Sequence, residues 1–262
     1  MESRPDGVHG PIHIADARSS DIRALKELSG VEPSKQLLAE LKRRVDLGKA
    51  LSAKHLGREK PCLAVVVVGV RSDFAVYTRN KKRVASQLGI DIKMIEFSDD
   101  VSGEDLRVQI RILNRDVAVD GIIVQLPLPA HLPSELLQEI DPAKDVDGLS
   151  YLNAGKLTLN GLIAPLFSPC TPRGIMHLLQ YYGVELKGKH LVVIGRSPIV
   201  GKPLALMMLQ EDATVTICHS HTCDVQSHAL LADILVVATG GIVFNHDFHY
   251  SFFFSPFFML FR

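Results

Sequence analysis

The chain has 262 residues, 47% of them apolar, and 29 basic side chains balance 29 acidic ones to a formal net charge of zero. A chain of that length and apolar content buries a substantial core and predicts a globular protein of two domains. The charge balance removes any global electrostatic case for nucleic acid or an anionic membrane, so the expected partner is a small molecule met by a local site.

The cysteines are Cys62, Cys170, Cys218 and Cys223, and no two have a CxxC spacing. Neither a disulfide framework nor a metal site is expected. No apolar run reaches the roughly 18 residues needed to span a bilayer. Residues 1–30 read as a loose leader, with Pro5, Gly7, Gly10 and Pro11 close together and no apolar core. Glu2, Asp6, Asp16 and Asp21 fit poorly with an acid-poor organellar transit peptide, so the cytoplasm is expected in preference to mitochondrion or plastid.

In chain order, Leu37, Leu41, Val45 and Leu51 form an apolar stripe predicting a helix over 34–55. Cys62 to Val68 (CLAVVVV) is a β-branched run without polar alternation, as in a strand covered on both faces. A helix over 73–88 closes at Gly89, a strand follows over 92–97, and Ser102 with Glu104 and Asp105 opens a further helix. Gly121 to Leu126 (GIIVQL) is a third strand, completing a βαβαβ unit with a ligand cleft at the carboxyl ends of its strands.

Leu149 to Pro169 is richer in Gly, Asn and Pro and reads as the domain boundary, with a linking helix over 172–182. Strands over 190–194 (HLVVI), 214–218 (TVTIC) and 234–238 (ILVVA), with a helix over 203–210, predict a second doubly wound domain. The expected divisions are 1–30, 31–158 as an α/β domain, 159–243 as a second, Rossmann-like domain, and a tail over 244–262.

The first strand of that second domain runs into Gly195-Arg196-Ser197-Pro198-Ile199-Val200-Gly201 and directly into a helix. Such a turn lets a pyrophosphate approach free N–H groups at a helix N-terminus; it equally serves close helix–strand packing. An NAD site ordinarily carries an acid near the end of the next strand, yet this one ends Cys218-His219-Ser220-His221-Thr222. Without the acid, Arg196 and Ser220 can donate to a 2′-phosphate, which favours NADP over NAD. His219 and His221 are read either as ligand contacts or as two polar residues at a strand end.

Tyr77 and Lys81 stand four apart and share a helix face. Read alone, Arg79 through Arg83 describes a solvated basic face. Three segments set beside one another change that reading: Tyr77 through Lys81 (YTRNK), Val124 through Pro129 (VQLPLP) and Lys144 through Gly148 (KDVDG). Together they resemble the folate-binding set of the methylenetetrahydrofolate dehydrogenase/cyclohydrolase family. Pro169-Cys170-Thr171-Pro172 and the Gly195 to Gly201 turn are similar to that family in the same order, and the resemblance covers about Ser34 to Gly241.

The resemblance implies two domains with a cleft between them, a homodimer, and two reactions serving one-carbon metabolism and purine biosynthesis. Hydride passes from 5,10-methylenetetrahydrofolate to NADP⁺, and water then opens the methenyl cation to 10-formyltetrahydrofolate. Lys81 is the implied proton carrier, with a pKa lowered by burial and by Lys82 and Arg83. Gln125 orients it, Tyr77 stacks on the folate ring, and Asp147 accepts donors from the pterin edge, within a substrate site that also includes Val124, Leu126 and Pro127. Thr171, Gly195, Arg196, Ser197, Ile199, Val200, Gly201 and Ser220 are the implied cofactor residues. A shikimate dehydrogenase-like oxidoreductase is a weaker match, because VQLPLP and KDVDG argue against it.

Beyond Gly241 the resemblance ends. Eight of the 11 phenylalanines lie between Phe244 and Phe261 without helical or strand periodicity. The expectation there is a truncated or aberrant ending, and with it an alternative function as a catalytically impaired isoform that binds folate or a full-length partner.

Overall fold

The computed structural model describes residues 28–56, 60–69, 72–159, 164–239 and 258–261, with the backbone alone for 50–56, 72–77 and 258–261. Most of the expected leader and tail therefore lies outside the described residues. The described chain divides into two compact units, Ser29–Gly183 and Val184 onward. Both are α/β.

The first unit opens with α1 (Val31–Leu56), followed by β1 (Cys62–Val68), α2 (Ser72–Leu88), β2 (Asp91–Phe97), α3 (Gly103–Arg115) and β3 (Gly121–Val124). The three strands form a parallel sheet in the order β2-β1-β3, with Leu63 beside Ile92 on one flank and Gly121 on the other. The central place of β1 accounts for its unbroken apolar sequence: Ala64 and Val66 face one layer, and Val65 and Val67 the other. β2 lies at the edge, where Asp91, Lys93 and Glu96 are exposed.

α3 shows how the local sequence sets an element. The Ser102 hydroxyl accepts from Asp105 N at 3.1 Å, Glu104 and Asp105 sit at the positive end of the helix dipole, and Leu106, Ile110 and Leu113 recur on one face. That face, with a short 3₁₀ helix over Ser134–Glu139, covers β1 and β3. Leu106 is wholly buried, so Leu106→Ala is expected to cost about 2–5 kcal/mol, read as a lowered denaturation midpoint.

Two further helices, α4 (Tyr151–Thr158) and α5 (Cys170–Tyr181), end this unit. α4 stands where the sequence reads as a linker, its N-terminus capped by the Ser150 hydroxyl, which accepts from Asn153 N. α5 falls within the first unit, where it packs on α1 and the Tyr182 hydroxyl next to it donates to Ser29 O at 2.9 Å.

The second unit holds β4 (His190–Ile194), α6 (Gly201–Gln210), β5 (Thr214–Cys218), α7 (Val225–Leu230), β6 (Ile234–Val237) and β7 (Phe258–Phe261). Its sheet runs β5-β4-β6-β7, parallel except that β7 pairs antiparallel with β6, Ile234 opposite Phe261. No strand is legible in the Phe-rich tail by alternation. A four-residue apolar run on an open sheet edge needs none, since backbone pairing suffices.

Candidate active site

The carboxyl ends of β1 and β3 lie side by side, and Gln125 N donates to Val66 O at 2.8 Å, extending the ladder by one residue. Gln125 is thereby fixed at the mouth of the sheet, immediately before a cis Leu126–Pro127 bond. Its amide nitrogen donates to Leu126 O at 3.2 Å, which leaves Oε1 to accept from Lys81 Nζ at 2.7 Å. An amide with its own N–H₂ engaged presents only its acceptor to the amine.

Lys81 reaches Gln125 because of its phase on α2. Thr78, Lys81, Ala85 and Leu88 fall on the inward stripe, while Arg79, Asn80, Lys82 and Arg83 are exposed. The basic cluster is thus mostly a solvated face, with Lys81 the member turned inward. Burial pushes its ammonium below the usual lysine range, opposed by Asp147 and then by Cys170, both of which favour the charged form. Lys82 and Arg83, expected to depress it, point to solvent and are not among the causes, so the shift is one of desolvation alone.

Asp147 comes from the KDVDG segment, whose other members build the turn that carries it. Lys144 Nζ donates to Leu113 O and Asp116 O at 3.0 and 2.8 Å, closing the C-terminal carbonyls of α3. Ile122 N donates to Lys144 O at 2.7 Å, and Asp145 bridges to Ile122, so the segment runs alongside β3. Gly148 has φ +65°, and a Cβ there would lie 2.8–2.9 Å from the backbone of Phe167 and Ser168. Only glycine fits that turn.

Burial raises the Asp147 carboxyl, while a thiol hydrogen bond from Cys170, 3.5 Å from Oδ1, and the Lys81 charge pull it down. The Cys170 thiol is itself pushed up to about 11, first by burial and then by the Asp147 charge. An amine lowered and a carboxyl raised by the same desolvation make a site suited to moving protons.

Other expected substrate residues fall less directly on this site. Val124 is buried in the core beneath it, so only its backbone is available. Leu126 is half-buried and Pro127 exposed. The Tyr77 backbone lies on α2, but its side chain is outside the described residues. Thr171, expected at the cofactor, is in the first turn of α5, within the first unit.

In the second unit, the turn between β4 and α6 is built by close backbone approach. Gly195 has φ +124° and a Cβ there would lie 2.4 Å from Ala238 O; at Gly201 it would lie 2.1 Å from Gly195 O. The expected free N–H groups at the start of α6 are engaged internally. Ser197 Oγ accepts from Val200 N and Gly201 N at 3.1 and 3.4 Å, Lys202 N donates to Ser197 O, Pro203 has no N–H, and Leu204 N donates to Val200 O.

The dipole of α6 remains, together with the exposed Arg196, Ile199 and Ser220, while Val200 is buried. Asp224, the first acid after β5, caps α7 by accepting from Ser227 N at 3.0 Å. His219 closes its own tight turn, its Nδ1 accepting from His221 N at 3.2 Å. A basic and hydroxyl donor set beside a carboxylate already engaged as a helix cap fits an anionic dinucleotide phosphate.

The tetrahydrofolate dehydrogenase/cyclohydrolase catalytic-domain model matches residues 28–147, and the NAD(P)-binding-domain model of the same family matches 169–246. The chain belongs to this family. It is 44% identical over 214 residues to the bifunctional protein FolD of Paracidovorax citrulli, covering 81% of this chain and 72% of that one. The bifunctional dehydrogenase/cyclohydrolase FolD of Campylobacter jejuni superposes with a TM-score of 0.72 at 38% identity, over 79% of this chain and 72% of that chain. The Trypanosoma brucei dehydrogenase-cyclohydrolase, solved with NADP and an inhibitor, gives 0.77 at 36% identity, over 83% and 73%. Membership makes the chain an oxidoreductase and hydrolase of one-carbon folate metabolism with a nucleotide-binding second domain. The family match also continues past Gly241, where the sequence motifs end, as far as residue 246.

Sequence reasoning did not find the part played by Cys170, which lies 23 positions from Asp147. It singled out Asp147 from KDVDG but gave no part to Lys144 and Asp145, which build the turn that carries it. The inward phase of Lys81 was available in the spacing of Val84, Ala85 and Leu88.

The Lys81–Gln125 bond carries its own test. Gln125→Glu would set a carboxylate against the amine and favour its charged form. The ascending limb of the cyclohydrolase pH–rate profile should then move to higher pH, because more alkaline conditions are needed to free the base. An unmoved limb would mean that the two groups are not coupled during turnover.

Proposed function

We propose that Lys81 is the proton carrier of the cyclohydrolase step, held by Gln125, in a chain that oxidises 5,10-methylenetetrahydrofolate and hydrolyses the product to 10-formyltetrahydrofolate. The observation that carries this is the 2.7 Å bond from a desolvated amine to an amide whose own donor is engaged. With its ammonium disfavoured, Lys81 takes a proton from the adding water and returns it as the ring opens. Asp147 accepts from donors on the pterin edge, and Tyr77 stacks on the folate ring.

Bound NADP⁺ supplies the acceptor for the hydride. Arg196 and Ser220 would hold its 2′-phosphate, with Gly195, Ser197, Ile199, Val200 and Gly201 shaping the turn beneath the pyrophosphate; Thr171, the remaining expected cofactor residue, lies on α5 of the first unit. The engagement of Asp224 as the cap of α7 supports NADP over NAD, since the first acid after β5 is turned to its own helix rather than offered to a ribose hydroxyl. Function as a homodimer in the cytoplasm completes the reading. No observation favours the alternative of an impaired isoform.

Purified chain given methylenetetrahydrofolate should produce reduced nicotinamide faster with NADP⁺ than with NAD⁺. Ser220→Asp should move the ratio of kcat/KM values toward NAD⁺ by about tenfold, equivalent to about 1.4 kcal/mol. A folded sample yielding neither reduced cofactor nor formyl product would end the proposal.

A further inference from the structure

Asp145, two residues before Asp147, is 2% exposed, and both of its carboxylate oxygens are engaged. Oδ1 accepts from Leu149 N at 3.1 Å; Oδ2 accepts from Ser150 N at 2.7 Å and from Asn153 Nδ2 at 3.0 Å. Asn153 is 1% exposed, and its Nδ2 also donates to Pro142 O at 3.1 Å, while its Oδ1 has no partner among the described atoms. One carboxylate therefore ties the turn over 145–148 to the start of α4 and to the loop before it. A buried charge satisfied this fully is costly to assemble and costly to break, so the turn has one arrangement.

We propose that Asp145, clasped by Leu149, Ser150 and Asn153, is the positioning residue that holds Asp147 facing Lys81. It acts in two ways. Its three hydrogen bonds fix the turn, with Gly148 N returning to Asp145 O at 3.0 Å to close it. Its charge, close to a second carboxylate, makes Asp147 hold a proton more readily than it would alone. The groups facing Asp147 among the described residues are Lys81 from α2, Cys170 from α5 and Asp145 from the turn itself. Of these, Asp145 is the one anion fixed by backbone donors, and so the constant part of the field that Asp147 experiences.

The test reads the Asp147 carboxyl by NMR in the full chain labelled with ¹³C-aspartate, which needs no substrate, and folate affinity by calorimetry. Asp145→Asn removes the neighbouring charge and should lower the Asp147 titration midpoint. Asn153→Leu keeps that charge but removes one donor from it, and should raise the midpoint. Both variants should weaken folate binding by about tenfold or more, because Asp147 is no longer set in place.

A purely structural role would lower thermal stability and leave the midpoint where it was. A folded Asp145→Asn protein with an unmoved Asp147 midpoint overturns the proposal. If that variant does not fold, Asn153→Leu decides, since an unchanged midpoint and unchanged folate affinity overturn it equally. The folate readout rests on the function proposed above. A parent chain that binds no folate would count against that function and leave the Asp147 titration to judge Asp145.

Discussion

Lys81→Met is expected to reduce cyclohydrolase turnover by about 10²–10⁴-fold, the range for loss of a positioned general base, while the protein stays folded. Methionine keeps the length and apolar stem of lysine and removes the proton-binding nitrogen, so Gln125 Oε1 loses its partner but the inward stripe of α2 stays filled. Stability should move the other way from activity. Burial holds the folded-state pKa of Lys81 below its ordinary value of 10.5, so the unfolded chain binds the extra proton between those two values. The folded chain bears the full cost of confining that charge at any pH below its lowered pKa. Lys81→Met should therefore raise the denaturation midpoint most at acidic to neutral pH, and the difference should fade as pH approaches 10.5. Formyl product at the parental rate would remove Lys81 from the chemistry.

The second large effect is expected at Gly201, where the obstruction is backbone. A methyl group there would sit 2.1 Å from Gly195 O and 2.7 Å from its carbonyl carbon. Neither atom can withdraw, because Gly195 N is bonded to Cys218 O at 2.8 Å and Gly195 itself lies tight against Ala238. Gly201→Ala is expected to cost about 3 kcal/mol through overpacking. The turn would open, and with it the Ser197 cap on α6. Reduced-nicotinamide production should collapse while hydrolysis of supplied methenyltetrahydrofolate continues, because Lys81, Gln125 and Asp147 belong to the other compact unit. Equal loss of both activities would show that the units are not separable.

The strand framework was legible from composition alone. CLAVVVV and HLVVI are runs expected of covered parallel strands, whereas TVTIC lies at the sheet edge with Thr214 and Ile217 exposed; all three strands begin and end on the expected residues. α4 and α7 were not legible, being short and polar and fixed by caps at Ser150 and Asp224 rather than by a periodic stripe. Within the site, Lys81 with Gln125 was readable once three segments were set side by side. The source of the Lys81 shift was not, because sequence shows which charges are neighbours along the chain and not which of them face water. Lys82 and Arg83 are adjacent in number and outward in space, whereas Asp147 and Cys170 are remote in number and affect the same amine. The Ser197 hydroxyl taking the first N–H groups of α6 was equally out of reach, since it depends on how the loop folds back on itself.

The thiol beside Asp147 bears on how this site can be attacked chemically. Electrophiles consume thiolate, and a cysteine raised to about 11 presents almost none of it at neutral pH. A thiol-directed electrophile should therefore react slowly with Cys170 at neutral pH although the residue is exposed, and faster where Asp147 is replaced by Asn.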